Sequence, residues 1–314
     1  MLNIHTNALS YRHNTGFGHP ESAKRLDAAI DGVVRAGLQN RIVASSSGHP
    51  DTSRIIAKVH SEDYEKELEE ACEGDFQCFH SLDNPISPSS FAAAQAAVTT
   101  SLAAAEEIWK QKTARRGFII VRPPGHHAER FEAMGFCFFN TIACVAEWVR
   151  EQPGVERVFI FDFDVHHGNG TQHLFEQRDD VFYASIHRYP FYPGTGAADE
   201  IGEGAGRGFT KNFPMEAGRG DAAYLRAVED VLVKIIDDYR PNAILLSAGF
   251  DAHVRDSIGG MQVSEHAFGE ITRRIVEAAE RHCEGRILSL LEGGYDPEGL
   301  AASVAEHLTA MNGE

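Results

Sequence analysis

An α/β fold is expected, a single domain over residues 1–314 with a mainly parallel central sheet and helices on both faces. Three observations predict it. Short apolar runs of strand length alternate with segments of helical periodicity, as they do when crossover helices join parallel strands. Four of those runs end in polar, chemistry-bearing residues, which is where open α/β sheets gather their ligands. With 314 residues and 43% hydrophobic content the chain can bury a large core, and no low-complexity linker or internal repeat divides it.

Strand-like segments fall near 2–5, 41–45, 117–122, 157–164, 181–187, 242–248 and 286–291. The alanine-rich stretch 91–109 predicts a packed helix whose start is marked by Pro88-Ser89-Ser90. Residues 191–219, glycine-rich and carrying Pro193 and Pro214, read as one long functional loop. After Asp221, a plausible N-cap, Leu225, Val228, Val231, Leu232, Ile235 and Ile236 recur at three- and four-residue spacing and predict a helix. Another helix starts near Ser264, with Phe268, Ile271 and Ile275 on one face and Gly285 just past its end.

The formal charge of −17 argues against nucleic-acid binding, which needs a basic stripe that this sequence lacks. The same field would attract cationic substrates such as amines or lysine-rich tails. Five cysteines, Cys72, Cys78, Cys137, Cys144 and Cys283, form no C-x-x-C pair, so reduced thiols in a cytoplasmic protein are expected. The first residues show no basic region followed by an apolar one and no run reaches about 18 apolar residues, so neither secretion nor a membrane span is expected, and no membrane partner.

The run from Val158 to Gly170 carries acids inside an apolar strand and ends in a histidine pair. An unpaired buried carboxylate costs several kcal/mol or takes up a proton, so something must compensate these charges. A lone acid would be answered by a basic partner. Here period-two alternation puts Asp162, Asp164 and His166 on one strand face, a pattern that suits one metal ion. Three further runs behave alike: 117–121 leads into Arg122-Pro123-Pro124-Gly125-His126-His127, 243–246 into Ser247-Ala248-Gly249-Phe250-Asp251, and 287–291 into Glu292-Gly293-Gly294-Tyr295. Asp164, His166 and Asp251 make a two-oxygen, one-nitrogen set suited to a catalytic Zn²⁺, although such a set also accepts Fe²⁺, Mn²⁺ or Co²⁺. His126 and His127 would transfer protons, and the Tyr295 hydroxyl would donate to an oxyanion.

With these residues in view, the sequence resembles the zinc-dependent histone deacetylase and acetylpolyamine amidohydrolase superfamily, in its class II-like branch. The motifs are His19-Pro20-Glu21 with Arg25, RPPGHHAE at 122–129, GFCFFN at 135–140, DFDVHHGNGTQ at 162–172, FYPGTG at 191–196, SAGFDAH at 247–253 and LEGGYD at 291–296. The resemblance implies an arginase/deacetylase-like fold and a hydrolase that removes acetyl or other acyl groups from lysine side chains or related amines. It implies one zinc on Asp164, His166 and Asp251. His127 would be the general base oriented by Asn169, His126 electrostatic support held by Asp162, and Tyr295 the oxyanion donor. A monovalent cation, usually K⁺, would sit near Asp162, Asp164, His166 and Ser185. Gly135, Phe136 and Tyr192 would line an acyl-lysine channel, Tyr192 standing where phenylalanine is frequent, and Asp83 would contact substrate backbone at the rim. In polyamine-selective relatives an acid lies seven residues after the third zinc aspartate; here that position is Ile258. An apolar rim favours an acyl-lysine peptide over an acetylpolyamine.

Two other readings stay open. A dinuclear ureohydrolase of the arginase type shares the strand-end acids but needs more aspartates than Asp251 and Asp256 supply. A non-catalytic acyl-binding module would usually have lost a ligand or the tyrosine. His253 is a weaker ligand candidate, Cys137 reads as a packing residue, and His5, His13, His49, His60, His80, His282 and His307 read as ordinary. A homo-oligomer is compatible with the sequence.

Overall fold

The computed structural model describes residues 1–45, 48–74 and 76–313. Eight strands form one sheet: β1 (Leu2–Thr6), β2 (Ile42–Ala44), β3 (Arg116–Ile120), β4 (Val158–Asp162), β5 (Val181–Arg188), β6 (Thr210–Met215), β7 (Ala243–Ala248) and β8 (Ile287–Leu291). Their order is β2-β1-β3-β8-β7-β4-β5-β6, and every pairing is parallel. Thus β3, β8, β7 and β4, the four strands whose ends carry the chemistry, are consecutive neighbours. Their carboxyl ends open on one crevice.

Alternation along each strand feeds two cores. On one face Phe159 and Phe161 of β4 join Ile244, Leu246 and Ile287 under α1 (Lys24–Arg35), α9 (Glu265–His282) and α10 (Pro297–Asn312). On the other, Val158 and Ile160 join Leu245 and Leu288 under α2 (Thr52–Val59), α3 (Glu62–Glu73), α4 (Ser90–Ala105) and α5 (Thr141–Arg150). The sheet is therefore sandwiched between helices, with α6 (Asn169–Phe175) leaving the site end of β4. No helix among the described residues is long and apolar enough to cross a membrane.

Two expectations need correction. The stretch 191–219 contains β6, the sheet's edge strand; Pro214 is tolerated there because an edge strand needs only one side of its ladder. The strand expected over 157–164 stops at Asp162, so Asp164 and His166 belong to the loop that follows. The helix after Asp221 comprises α7 (Asp221–Ala227), a π-turn (Val228–Leu232) and α8 (Val233–Tyr239).

Candidate active site

Asp164 and His166 follow β4, and Asp251 follows β7, so adjacent strand ends bring them together. One ligand atom from each lies within 4.8 Å of the others. The chain holds them from behind: Gly293 N donates to Asp164 Oδ2 at 2.8 Å and Val165 N to Asp251 Oδ1 at 2.8 Å. His166 Nδ1 lies 3.0 Å from Asp164 Oδ1 and 3.2 Å from Asp251 Oδ2. Asp251 Oδ2 nonetheless receives no aligned hydrogen bond, a rare condition for a buried oxygen. Burial and the charge of Asp164 push the Asp251 carboxyl up to about 7. Burial acts to raise Asp164 too, but the charges of His126 and His166 outweigh it and hold that carboxyl well below its usual range. Two enclosed carboxylates facing one imidazole carry surplus negative charge, which a divalent cation would neutralise while using the orphaned oxygen.

Asp162 does not join that set. Its Oδ2 accepts from His126 Nδ1 at 2.9 Å and from the Tyr183 hydroxyl at 3.2 Å. The alternation that grouped Asp162 with Asp164 and His166 therefore fails where β4 ends. His127 Nδ1 meets Asn169 Oδ1 at 2.7 Å; the amide oxygen accepts, which leaves His127 Nε2 unprotonated, and Asn169 Nδ2 donates in turn to Glu129. The two rings are driven apart in proton affinity. Burial opposes charge on His126, yet Asp162 and Asp164 lift it to about 10, whereas burial and the charges of His126 and His166 push His127 well below its usual value.

Above these groups a cavity of about 400 Å³ is lined by Asp83, His127, Gly135, Phe136, His166, Tyr192, Ile258 and Tyr295. Gly135 has φ +56 and lies so close to the His127 ring that a Cβ would collide with it. Phe136 stands edge-on to Tyr295, ring centroids 6.1 Å apart, and Tyr192 stands edge-on to His127 at 5.2 Å. The Tyr192 hydroxyl faces Asp83, and Asp83 accepts from the Ser81 hydroxyl. Asp256 ties the far wall together, accepting from Ile258 N at 2.9 Å and Tyr295 N at 2.6 Å.

Ser185 stands opposite Asp162 in the β4–β5 ladder, its Oγ 2.8 Å from His187 Nδ1. His253 turns away from the donor set: Nε2 lies 3.1 Å from Glu265, and Nδ1 accepts from Arg255 N. A second trio, His126, Cys137 and Glu292, also brings ligand atoms within 4.8 Å, but the Glu292 carboxylate already accepts three hydrogen bonds.

Several contributors escape a sequence reading. Arg25 donates to the backbone oxygens of Gly294, at 2.7 Å, and Glu292, and its guanidinium lies 5.0 Å over the Tyr295 ring. Phe191 stacks on His166 with centroids 5.2 Å apart. Arg25, Glu292 and Phe191 stand inside motifs and could have been found there; Asp256 carries no comparable signal. A larger cavity of about 700 Å³, lined by Arg157, Phe182, Phe209 and Tyr239 among others, gathers none of the strand-end residues.

The family model described as histone deacetylase domain matches residues 19–311. A probable deacetylase of Archaeoglobus fulgidus is 36% identical over 291 residues, covering 92% of this chain and 79% of that protein. A histone deacetylase-like amidohydrolase of Pseudomonas aeruginosa is 37% identical over 280 residues, 88% of this chain and 71% of the relative. A polyamine deacetylase of Mus musculus is 35% identical over 306 residues, 94% of this chain but 45% of that protein. Among solved structures, the HDA15 HD domain matches with a TM-score of 0.92 at 33% identity, covering 100% of this chain and 88% of that one.

Proposed function

From the premise that the chain belongs to the histone deacetylase family and is a deacetylating hydrolase, we propose that it removes acyl groups from lysine side chains using one zinc ion on Asp164, His166 and Asp251. The observation that carries this reading is the convergence of three buried ligand atoms, one of them without a hydrogen-bond donor, at the base of an aromatic-walled cavity. A zinc ion held there supplies Lewis acidity toward an amide carbonyl and makes water easier to deprotonate.

The chain's own groups supply the rest. His127, kept neutral and oriented by Asn169, accepts the proton of the attacking water at Nε2 and returns it to the leaving amine. His126, charged beside Asp162, adds positive potential near the reacting carbonyl. Tyr295 donates its hydroxyl to the developing oxyanion. Phe136 and Tyr192 wall the lysine methylenes off from water. Ser185 beside Asp162 supports a structural K⁺ next to the site, and free cysteines fit a reducing cytoplasm.

Substrate choice rests on the rim. Ile258 lines the cavity and offers no counter-charge to a second ammonium, which favours acyl-lysine peptides. The mouse relative's name and the net charge of −17 favour an acetylpolyamine instead. Comparing kcat/KM for an acetyl-lysine peptide and N8-acetylspermidine, in the wild type and in Ile258→Glu, decides between them. The expected result is peptide preference in the wild type and a shift toward the polyamine in the variant; a wild type that already prefers the polyamine sinks the rim argument. Elemental analysis should give one zinc per chain and loss of zinc in Asp251→Ala, whereas two metals per chain would favour the dinuclear ureohydrolase reading.

A further inference from the structure

Glu292 is a fully buried acid beside the site that neither metal binding nor proton transfer uses. It stands one residue past β8 and is 1% exposed. Its Oε2 accepts from the backbone amides of Gly125, at 2.7 Å, and His126, at 3.2 Å, while its Oε1 accepts from the Ser247 hydroxyl at 3.1 Å. One side chain thus joins three strand ends: β8 by its own backbone, β7 through Ser247, and the loop after β3 through the amides that lead into the two histidines. From the other side, Arg25 grips the carbonyls of Glu292 and Gly294. Next along the chain, Gly293 N donates to Asp164.

A solvent-free carboxylate needs a reason to be retained, since its burial costs far more than that of an apolar residue of the same size. No Arg or Lys pairs with Glu292 among the described residues; the charged ring near it is that of His126, with ligand atoms within 4.8 Å, an attraction that Glu292→Gln would remove while the hydrogen bonds stay. The Glu292 acceptors also satisfy two adjacent amides of a turn that has no strand partner at that point. Buried amides left without acceptors would carry the full penalty of lost hydration and would let the turn re-orient.

We propose that Glu292 is a positioning residue that fixes the tandem-histidine turn against the tyrosine-bearing turn, so that proton transfer from His127 and hydrogen bonding from Tyr295 stay in register at one carbonyl. The assignment rests on the deacetylase site described above. It needs acceptors in a set place, not a negative charge. A glutamine keeps the acceptor toward Gly125 and His126, and its amide can donate to Ser247 Oγ after that hydroxyl rotates.

The test uses zinc-loaded protein and an acetyl-lysine peptide. Glu292→Ala should lower kcat by about 10²-fold, the scale of a displacement of roughly 1 Å, with KM within about threefold and zinc content unchanged. Amide hydrogen exchange should quicken at Gly125 and His126. Glu292→Gln should recover kcat to within about fivefold of wild type and restore the protection. A glutamine variant as impaired as the alanine one would mean that charge, not placement, is at work and would overturn the assignment. So would an alanine variant of normal kcat, or one that loses zinc in proportion to activity. Should Glu292→Ala fail to fold, Ser247→Ala removes one anchor of the carboxylate; lower kcat with faster exchange at Gly125 and His126 is then expected, and no change in either overturns the proposal. Failure of the site reading itself looks different, because His127→Ala and Tyr295→Phe would then remain fully active.

Discussion

His126 and His127 are adjacent, their ring centroids 4.1 Å apart, yet the fold gives them opposite electrostatic tasks. The difference lies in one partner each: a carboxylate for His126 and an amide oxygen for His127. Only the neutral ring can take a proton. His127→Ala should therefore lower kcat more than His126→Ala at equal zinc content, and the reverse order in steady-state kinetics would exchange their roles. Tyr295→Phe should keep the metal and lose about 10²-fold or more in kcat, since one oxyanion donor is removed. Tyr192 is a finer case, because its ring lines the cavity and its hydroxyl faces Asp83. Tyr192→Phe keeps the wall, so KM for a peptide should rise several-fold with kcat nearly unchanged; a pure kcat loss would contradict a rim role.

At the scale of elements, four consecutive strand ends supply every proposed catalytic and zinc-binding group except Asn169, which opens α6. That convergence was legible in the sequence because buried parallel strands are long apolar runs, and a polar residue at their end has to be explained. What escaped were elements without such a contrast. β6, with the sequence Thr210-Lys211-Asn212-Phe213-Pro214-Met215, is polar, carries a proline and sits at an edge, so neither hydrophobic run nor period marks it. The alternation through Asp162 and Asp164 misled for a related reason: period two holds only while the ladder continues, and β4 ends at Asp162. Inter-helix contacts were invisible for want of a partner sequence to match. Gly32 shows this, since a Cβ there would lie 2.6 Å from Ala301 O and 2.7 Å from Val304 Cβ where α1 meets α10. Gly32→Ala should destabilise the protein by about 1–3 kcal/mol by overpacking, read as a lower urea midpoint, with kcat unchanged. A midpoint equal to wild type would mean that the two helices slide apart without cost.

Across the whole molecule, the stability ledger with pH is set by histidines kept neutral in the interior. His60 and His307 show why. His60 Nδ1 donates to Glu129 O at 2.9 Å while Nε2 accepts from Asn140 N at 2.9 Å, so both ring nitrogens are committed to the neutral form. His307 lies between Thr272 and Ser289; the Thr272 hydroxyl already donates to Phe268 O, so it accepts from Nδ1, and the Ser289 hydroxyl donates to Nε2. Burial lowers His60 to about 4 and His307 to about 3, against an ordinary value near 6.5. Below 6.5 the unfolded chain therefore binds protons that the native protein refuses. The stability due to each ring is complete above that pH and is lost as pH falls toward the native value, by about 1.4 kcal/mol per pH unit. Glu292, pushed up to about 7 by burial, works in the opposite sense over the same range, so the total slope mixes signs. A single variant isolates one ring. His307→Gln keeps polar contacts to both hydroxyls but cannot titrate, so the stability advantage of wild type over the variant should shrink by about 1.4 kcal/mol per unit between pH 6.5 and 5, measured by urea unfolding of zinc-loaded protein. An advantage that stays constant across that window would show that His307 takes up its proton as readily in the native state as in the unfolded chain.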